Sequence, residues 1–367
     1  MKIFEIIPQL SSGGAERFVV DLCNELSKGH EVTLLVLFPL NKTSFYLSQV
    51  SDKVRIETMN KKAGFDLPLF QRLRKMIDSE KPDVVHTHLR GIIYILPAAC
   101  LNNKKTLFVH TVHSDAQQEA AEWFSRVARK FLFKTKKVIP VTISEESHKS
   151  FTEFYGIDAP MIFNGRNIPE NIFVSDKVKN EFLTFKKSQN TKVIMNLARI
   201  DEVKRQTLLA KVISMLNQKG YDFSCIMIGS TKYKALVEDI KSYNCRNIFI
   251  LGERTNPLEY LKLSDAFCLC SSYEGLPISL IESLGVGTMP ICTPVGGIKD
   301  LIENGKNGIL TEDLSENALY KALEDFLNMS EDEIITICTK AKESYRPFSM
   351  TECCNNYVNL FKQNIKS

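Results

Sequence analysis

Long apolar runs are missing from this chain of 367 residues. The longest, residues 92–100, is about half the ~20 residues that a membrane-spanning helix requires, and it contains Pro97. A helix crossing a bilayer is therefore not expected. The N-terminus carries one positive charge and then a short strand-like run closed by Pro8, with no small-residue cleavage site, so export is not expected either. Metal-type cysteine spacing is also missing. Of ten cysteines, only Cys268/Cys270 and Cys353/Cys354 lie close together, and neither pair has the C-x₂-C form. In a chain that is not exported, all ten read as reduced, small, buried apolar residues. Charge of one sign is scarce. The formal balance of +4 is too small to suggest nucleic acid, and the excess lies in residues 1–165, with 22 Lys+Arg against 18 Asp+Glu. Short-period repeats and low-complexity tracts are absent.

What remains is ordinary globular material, 44% hydrophobic and 25% charged, long enough at roughly 150 residues per domain for two cores. Short β-branched runs alternate with stretches of helical period, the signature of βαβ units and parallel sheets. Strands are expected at 2–7, 31–37, 84–86, 106–112 and 137–142. The rhythm restarts at 192–198, 223–228, 247–251, 266–269 and 289–293. Between the two series, residues 164–190 are polar and contain Gly165 and Pro169. The expected fold class is α/β, with two doubly wound Rossmann-like domains facing across a cleft. These are an N-terminal domain (1–167), a C-terminal domain (168–345) and a terminal segment (346–367) whose helical spacing runs through Tyr357, Leu360 and Phe361. Such domains bind ligands outside the carboxyl ends of their strands.

Three constellations fall at such turns. The first, Ser11-Ser12-Gly13-Gly14-Ala15-Glu16, joins a strand to a helix. Glycines there let a phosphate or sugar approach backbone N–H groups at a helix N-terminus. It has neither G-x-G-x-x-G spacing nor a Walker lysine, and alone it is equally a plain tight turn. The second runs from Asn196 to Arg205. Arg199 and Lys204 can converge from a loop and the next helix onto one anion, a planar fork beside a point charge; a solvated basic loop is the plainer alternative. The third is Tyr273-Glu274-Gly275-Leu276-Pro277-Ile278-Ser279-Leu280-Ile281-Glu282. Pro277 suits a first helical turn, which leaves Glu274 in the loop and puts Ser279 and Glu282 on the helix. The two carboxylates can then hold hydroxyls at separate points of an extended ligand, with the Gly275 and Leu276 amides aimed at an anion between them.

Glu274 and Glu282 in this setting resemble the E-x7-E motif of retaining GT-B glycosyltransferases of family 4. Family-like motifs follow in family order along nearly the whole chain: Gly13-Gly14-Ala15-Glu16, Asp83 to His88, His110 to His113, Asn164-Gly165, Arg199 with Lys204, and Pro294 to Gly297. The resemblance implies a hexosyltransferase that takes its sugar from a UDP- or GDP-linked donor and needs no cofactor and no metal, in keeping with the absence of any Asp-x-Asp. It implies that Arg199, Lys204 and amides near Gly14 neutralise the leaving diphosphate, that Glu282 takes the ribose hydroxyls, that Glu274 contacts the donor sugar, and that His113 lies near that sugar. It implies an acceptor that is a glycan or lipid-linked glycan in bacterial surface polysaccharide, capsule, lipopolysaccharide or glycolipid synthesis. Ala198 stands where the family usually has Gly, Asp300 where Glu is common, and Arg166-Asn167 where Val-Asp is usual. A nucleotide-sugar 2-epimerase of the same fold, or a non-catalytic subunit that binds sugar nucleotides, are the alternative readings.

Other features are less specific. His86 and His88 form H-x-H at a strand end, read as hydrogen-bonded structural residues because no carboxylate lies nearby in sequence. Arg254 falls in the loop where the family binds its base, and is either a nucleotide contact or a solvated residue. Residues 123–137 pack six cations among four aromatics, including the only Trp. That segment is either a core-facing helix with a basic outer face or a docking element for an anionic membrane. The expected location is cytoplasmic, with the second alternative placing the protein on the inner face of the plasma membrane.

Overall fold

The computed structural model describes residues 1–41, 44–101 and 106–365. The chain forms two compact units, Met1–Asn167 with Pro347–Ser367, and Ile168–Arg346. In the first, β1 (Lys2–Ile7), β2 (Glu31–Val36), β3 (Arg55–Thr58), β4 (Val84–His88), β5 (Leu107–Val112) and β6 (Ile139–Thr142) form a six-stranded sheet in the order β3-β2-β1-β4-β5-β6. All neighbours pair in parallel. The second unit contains β7 (Lys192–Leu197), β8 (Phe223–Ile228), β9 (Ile248–Gly252), β10 (Ala266–Leu269), β11 (Met289–Cys292) and β12 (Ile309–Leu310), ordered β12-β11-β10-β7-β8-β9, again parallel. Counted from β9, this is the same winding as the first sheet. The strand order reverses between β1 and β4 in one unit and between β7 and β10 in the other, and ligands of such sheets bind at the carboxyl ends there.

Both sheets are covered by helices, so their central strands are buried on both faces and largely apolar rather than alternating, with Glu5 in β1 and His86 and His88 in β4 among the buried polar exceptions. Phe4, Ile6, Val85 and Phe108 belong to one core, and Ile194, Cys225, Met227 and Ile291 to the other. Two strands escape that rule and were not anticipated. β3 is a polar edge strand whose residues are exposed or half-buried, and β12 has two residues. The polar stretch 164–190 also contains a helix, Asp176–Leu183, capped by Ser175 and anchored by buried Val178 and Phe182. The helix Met350–Asn364 packs within the first unit, burying Cys353, Tyr357 and Phe361. Arg166, which departs from the family pattern, donates to Asp21 Oδ2 at 2.7 Å and so ties the end of this unit to its first helix. All ten cysteines are free; Cys100, Cys245 and Cys338 are only half-buried, contrary to the expectation for the whole set.

Candidate active site

In the second unit the loops after β7, β10 and β11 interlock. Lys204 lies in a single 3-10 turn, Glu202–Lys204, rather than in the following helix Gln206–Gln218, because Arg205 takes a left-handed conformation that separates the two. Its Nζ sits 2.6 and 2.7 Å from the two oxygens of Glu274, and Ser271 Oγ donates to Glu274 Oε1 at 2.6 Å. Arg199 is exposed and pairs with Asp201 at 2.9 Å. The two cations therefore do not share one partner; each is held by its own carboxylate. The Glu274 loop is braced from β11: Gly297 N–H donates to the Gly275 carbonyl at 2.7 Å. Gly296, at φ +50°, lies so close to the Glu274 carbonyl oxygen that a Cβ would overlap it. Leu276 is buried and Gly275 half-buried. Pro277 is the N-cap of the helix Ile278–Val286, whose Ser279 is half-buried and whose Glu282 is only 5% exposed. A carboxylate so placed among apolar residues is costly unless something polar meets it.

Arg254 is turned inward. It donates to the Leu251 carbonyl, to Glu181 at 3.1 Å and to Tyr260 at 3.4 Å, so it clamps the loop after β9 onto two helices of the same unit and is not the solvated residue that was the plainer reading.

In the first unit Gly13 caps the helix Gly14–Leu26. The Glu16 carboxylate folds back over that turn, accepts from Ser11, and fills the space that a Cβ on Gly13 would need. His113 follows β5 and meets Phe18 of this helix edge-on, with ring centroids 5.6 Å apart. Its backbone N–H donates to Glu119 Oε1 at 2.6 Å. Burial pushes the His113 imidazole down to about 4. Glu119 is placed by Arg129, whose Nη1 lies 2.9 Å from it and 2.8 Å from His110. Burial alone raises the Glu119 carboxyl, but hydrogen bonding to His110 and the charge of Arg129 outweigh it and hold the group at about 2.

His86 and His88 are hydrogen-bonded as expected, yet a carboxylate does stand beside them: Glu5, on the neighbouring strand and in register with His86. Among the described residues, Glu5, His86 and His88 are the one group of three whose possible ligand atoms lie within 4.8 Å of one another. Each of those atoms is already engaged in a hydrogen bond. Glu5, Glu119 and Arg129 were missed from sequence. Only Glu5 left a signal, as a lone acid inside the apolar run of β1.

The helix Trp123–Lys134 corrects one reading of its segment: it is core-facing, but its outer face is apolar as well as basic, not a purely basic one. Arg129 and Phe133 face inward, while Trp123, Phe124, Val127 and Phe131 are exposed beside Arg126, Lys130 and Lys134. Phe65, also exposed, extends this apolar face with its ring centroid 5.8 Å from that of Phe124. Among the described residues no helix is long and apolar enough to cross a membrane.

Residues 12–170 match the family described as Glycosyltransferase Family 4, and residues 178–340 match Glycosyl transferases group 1. The chain is 28% identical to a Campylobacter jejuni α-1,4-N-acetyl-D-galactosaminyltransferase named for a diNAcBac-PP-undecaprenol substrate, over 99% of each chain. It is 24% identical to the capsular polysaccharide glycosyltransferase CapH of Staphylococcus aureus, over 77% of this chain and 78% of that one. Among solved structures, a glycosyltransferase from Rickettsia africae superposes with TM-score 0.83 at 20% identity, covering 100% of this chain and 99% of that one. Anabaena HepE, crystallised with UDP and glucose, gives 0.82 at 16% identity over 99% of each chain. Two doubly wound domains with these relatives define a glycosyltransferase of the GT-B class. Within that class the chain belongs to glycosyltransferase family 4.

Proposed function

We propose that this glycosyltransferase moves a sugar from a UDP- or GDP-linked donor to a glycan on a lipid carrier, with retention at the anomeric carbon and with no metal on the diphosphate. The observation that carries the reading is the pairing of Lys204 with Glu274 at the carboxyl ends of β7 and β10, one helical segment from buried Glu282. Lys204 and Arg199 supply the charge that a cation supplies elsewhere, selectively for the departing diphosphate. Glu274, fixed by Lys204 and Ser271, is oriented for donor-sugar hydroxyls, and Glu282 for ribose. His113 serves the transferring sugar, and the β-phosphate takes the acceptor's proton. A panel of UDP- and GDP-sugars with a polyprenyl-diphosphate glycan, assayed with and without EDTA, tests this. Turnover is expected to persist in EDTA, and proton NMR of the product to show the donor's anomeric configuration. Inversion, or loss restored by Mg²⁺ or Mn²⁺, overturns the reading.

The lipid-linked acceptor is supported by the undecaprenol-based names of two Campylobacter jejuni relatives and by the outer face of Trp123–Lys134. Large apolar groups beside Arg126, Lys130 and Lys134 suit the headgroup region of an anionic bilayer, each cation contributing about 1 kcal/mol. On this reading the enzyme works on the inner face of the plasma membrane. Co-sedimentation with vesicles is expected to rise with anionic lipid, to fall as salt screens it, and to drop in Trp123→Ser. Binding indifferent to anionic lipid removes the docking role.

A further inference from the structure

A line of side chains runs through the first unit without a break. Tyr357 OH lies 2.7 Å from Thr111 Oγ1, which lies 2.8 Å from His86 Nε2. His86 Nδ1 is 3.1 Å from Glu5 Oε1, Glu5 Oε2 is 2.8 Å from His88 Nε2, and His88 Nδ1 is 2.9 Å from His113 Nε2. Sheet register builds this line. Glu5 pairs with His86 across β1 and β4, and His88 with Thr111 across β4 and β5, so all four project from one face. Glu5, His86, His88, Thr111 and Tyr357 are 0% exposed, so solvent does not reach these five, while His113 at the end of the line is half-buried.

Donor and acceptor counting gives the line a direction. An ionised carboxylate only accepts, and a neutral imidazole has one N–H and one bare nitrogen. With Glu5 ionised, His86 donates from Nδ1 and His88 from Nε2. The bare Nδ1 of His88 must then accept, which obliges His113 to carry its proton on Nε2. His113 Nδ1 is left as a bare acceptor, with no hydrogen bond to the described residues. The groups facing Glu5 are His86 and His88 from β4, Cys23 from the first helix, and Cys353, Cys354 and Tyr357 from the last. Burial holds the imidazoles down and the thiols and phenol up, so these neighbours are neutral. Burial raises the Glu5 carboxyl overall, with the His88 hydrogen bond and charge offsetting only part of it, so the ionised Glu5 from which the line is counted is itself part of what the spectra test.

We infer that Glu5 is a positioning residue: acting through His88, it dictates which nitrogen of His113 holds the proton, and so presents His113 Nδ1 to the substrate as an acceptor. The inference rests on the reading of His113 as part of the sugar site. Its test is the tautomer state of the full-length protein labelled with ¹⁵N-histidine, read from two-bond ¹H–¹⁵N spectra near neutral pH and assigned by single substitutions. The expected pattern is His86 protonated on Nδ1 and both His88 and His113 on Nε2. Glu5→Gln keeps the shape, but an amide accepts from one imidazole and donates to the other, so at least one arm reverses. Where the His88 arm reverses, His113 reverses with it, and kcat falls about tenfold or more with donor KM unchanged. A wild-type His113 protonated on Nδ1, a Glu5→Gln protein with all three tautomers intact, or one equivalent of metal per chain by elemental analysis overturns the inference. The wild-type spectrum decides the direction even if Glu5→Gln does not fold. Full kcat in His113→Ala retires the sugar-site reading alone, because the relay is judged on the spectra.

Discussion

Lys204→Ala is expected to lower kcat by about 10²–10³-fold, whereas Glu282→Ala raises the donor KM and leaves kcat near that of the wild type. The difference follows from where charge changes during transfer. As the glycosidic bond breaks, negative charge grows on the diphosphate, and a cation facing it binds the transition state better than the ground state. Nothing changes charge at the ribose, so Glu282 in its proposed role would hold both states alike. The ion pair adds to the loss in Lys204→Ala, because Glu274 is only 5% exposed and would keep Ser271 alone of these two partners. Circular dichroism should first establish that each variant folds. If Lys204→Ala raised KM alone while Glu282→Ala removed kcat, the roles would have to be exchanged.

Arg129→Ala should cost about 3–5 kcal/mol, the scale for stripping one partner from a buried ion pair, and lower the melting temperature by about 10 °C. Its neighbour Arg126 is exposed and stacks on Phe154, with its guanidinium 4.5 Å from the ring centroid, so Arg126→Ala should shift melting by about 1–3 °C. Glu119 supplies the sign of the pH dependence. Its carboxyl is depressed from 4.5 to about 2 in the folded chain, so its contribution is complete above 4.5 and drains away as pH falls toward 2. Arg129→Ala removes one source of that depression, so the variant should lose less on acidification across this interval than the wild type does. Equal melting temperatures for the two alanine variants would show that the Arg129 pair is not structural.

The two sequences of strands were legible because parallel strands buried on both faces leave continuous apolar runs, as at Phe223–Ile228 and Ala266–Leu269. β3 was not, because an edge strand with residues such as Arg55 and Glu57 carries no such run. The helix Ile278–Val286 was legible from Pro277 and its apolar residues, and with it the positions of Glu274 and Glu282. What spacing could not convey is partnership across the sheet. Lys204 and Glu274 are 70 residues apart, and Glu5 and His88 are 83 apart. The carboxylate beside His86 is no neighbour in sequence, because Glu5 reaches it from the adjoining strand, in register across the sheet. Arg129 was counted with the surface cations because a run of mixed charge does not reveal which member faces inward.

The first unit is discontinuous: its core includes Tyr357 and Phe361, and a Cβ on Gly165 would overlap the Cys353 side chain of the same returning helix. On a ribosome, chain emerges at roughly 5–20 residues per second, and domains generally fold as units, N-terminal first. Here that order is inverted. Ile168–Arg346 is one uninterrupted stretch and can finish as soon as it emerges, while the strands that began the chain must wait, with the groove beside Phe18 uncovered, until the final helix has been made. The vulnerable interval of the first unit lasts until Met350–Asn364 has been made, and termination between Arg346 and that helix leaves a finished second unit attached to an unfinished first.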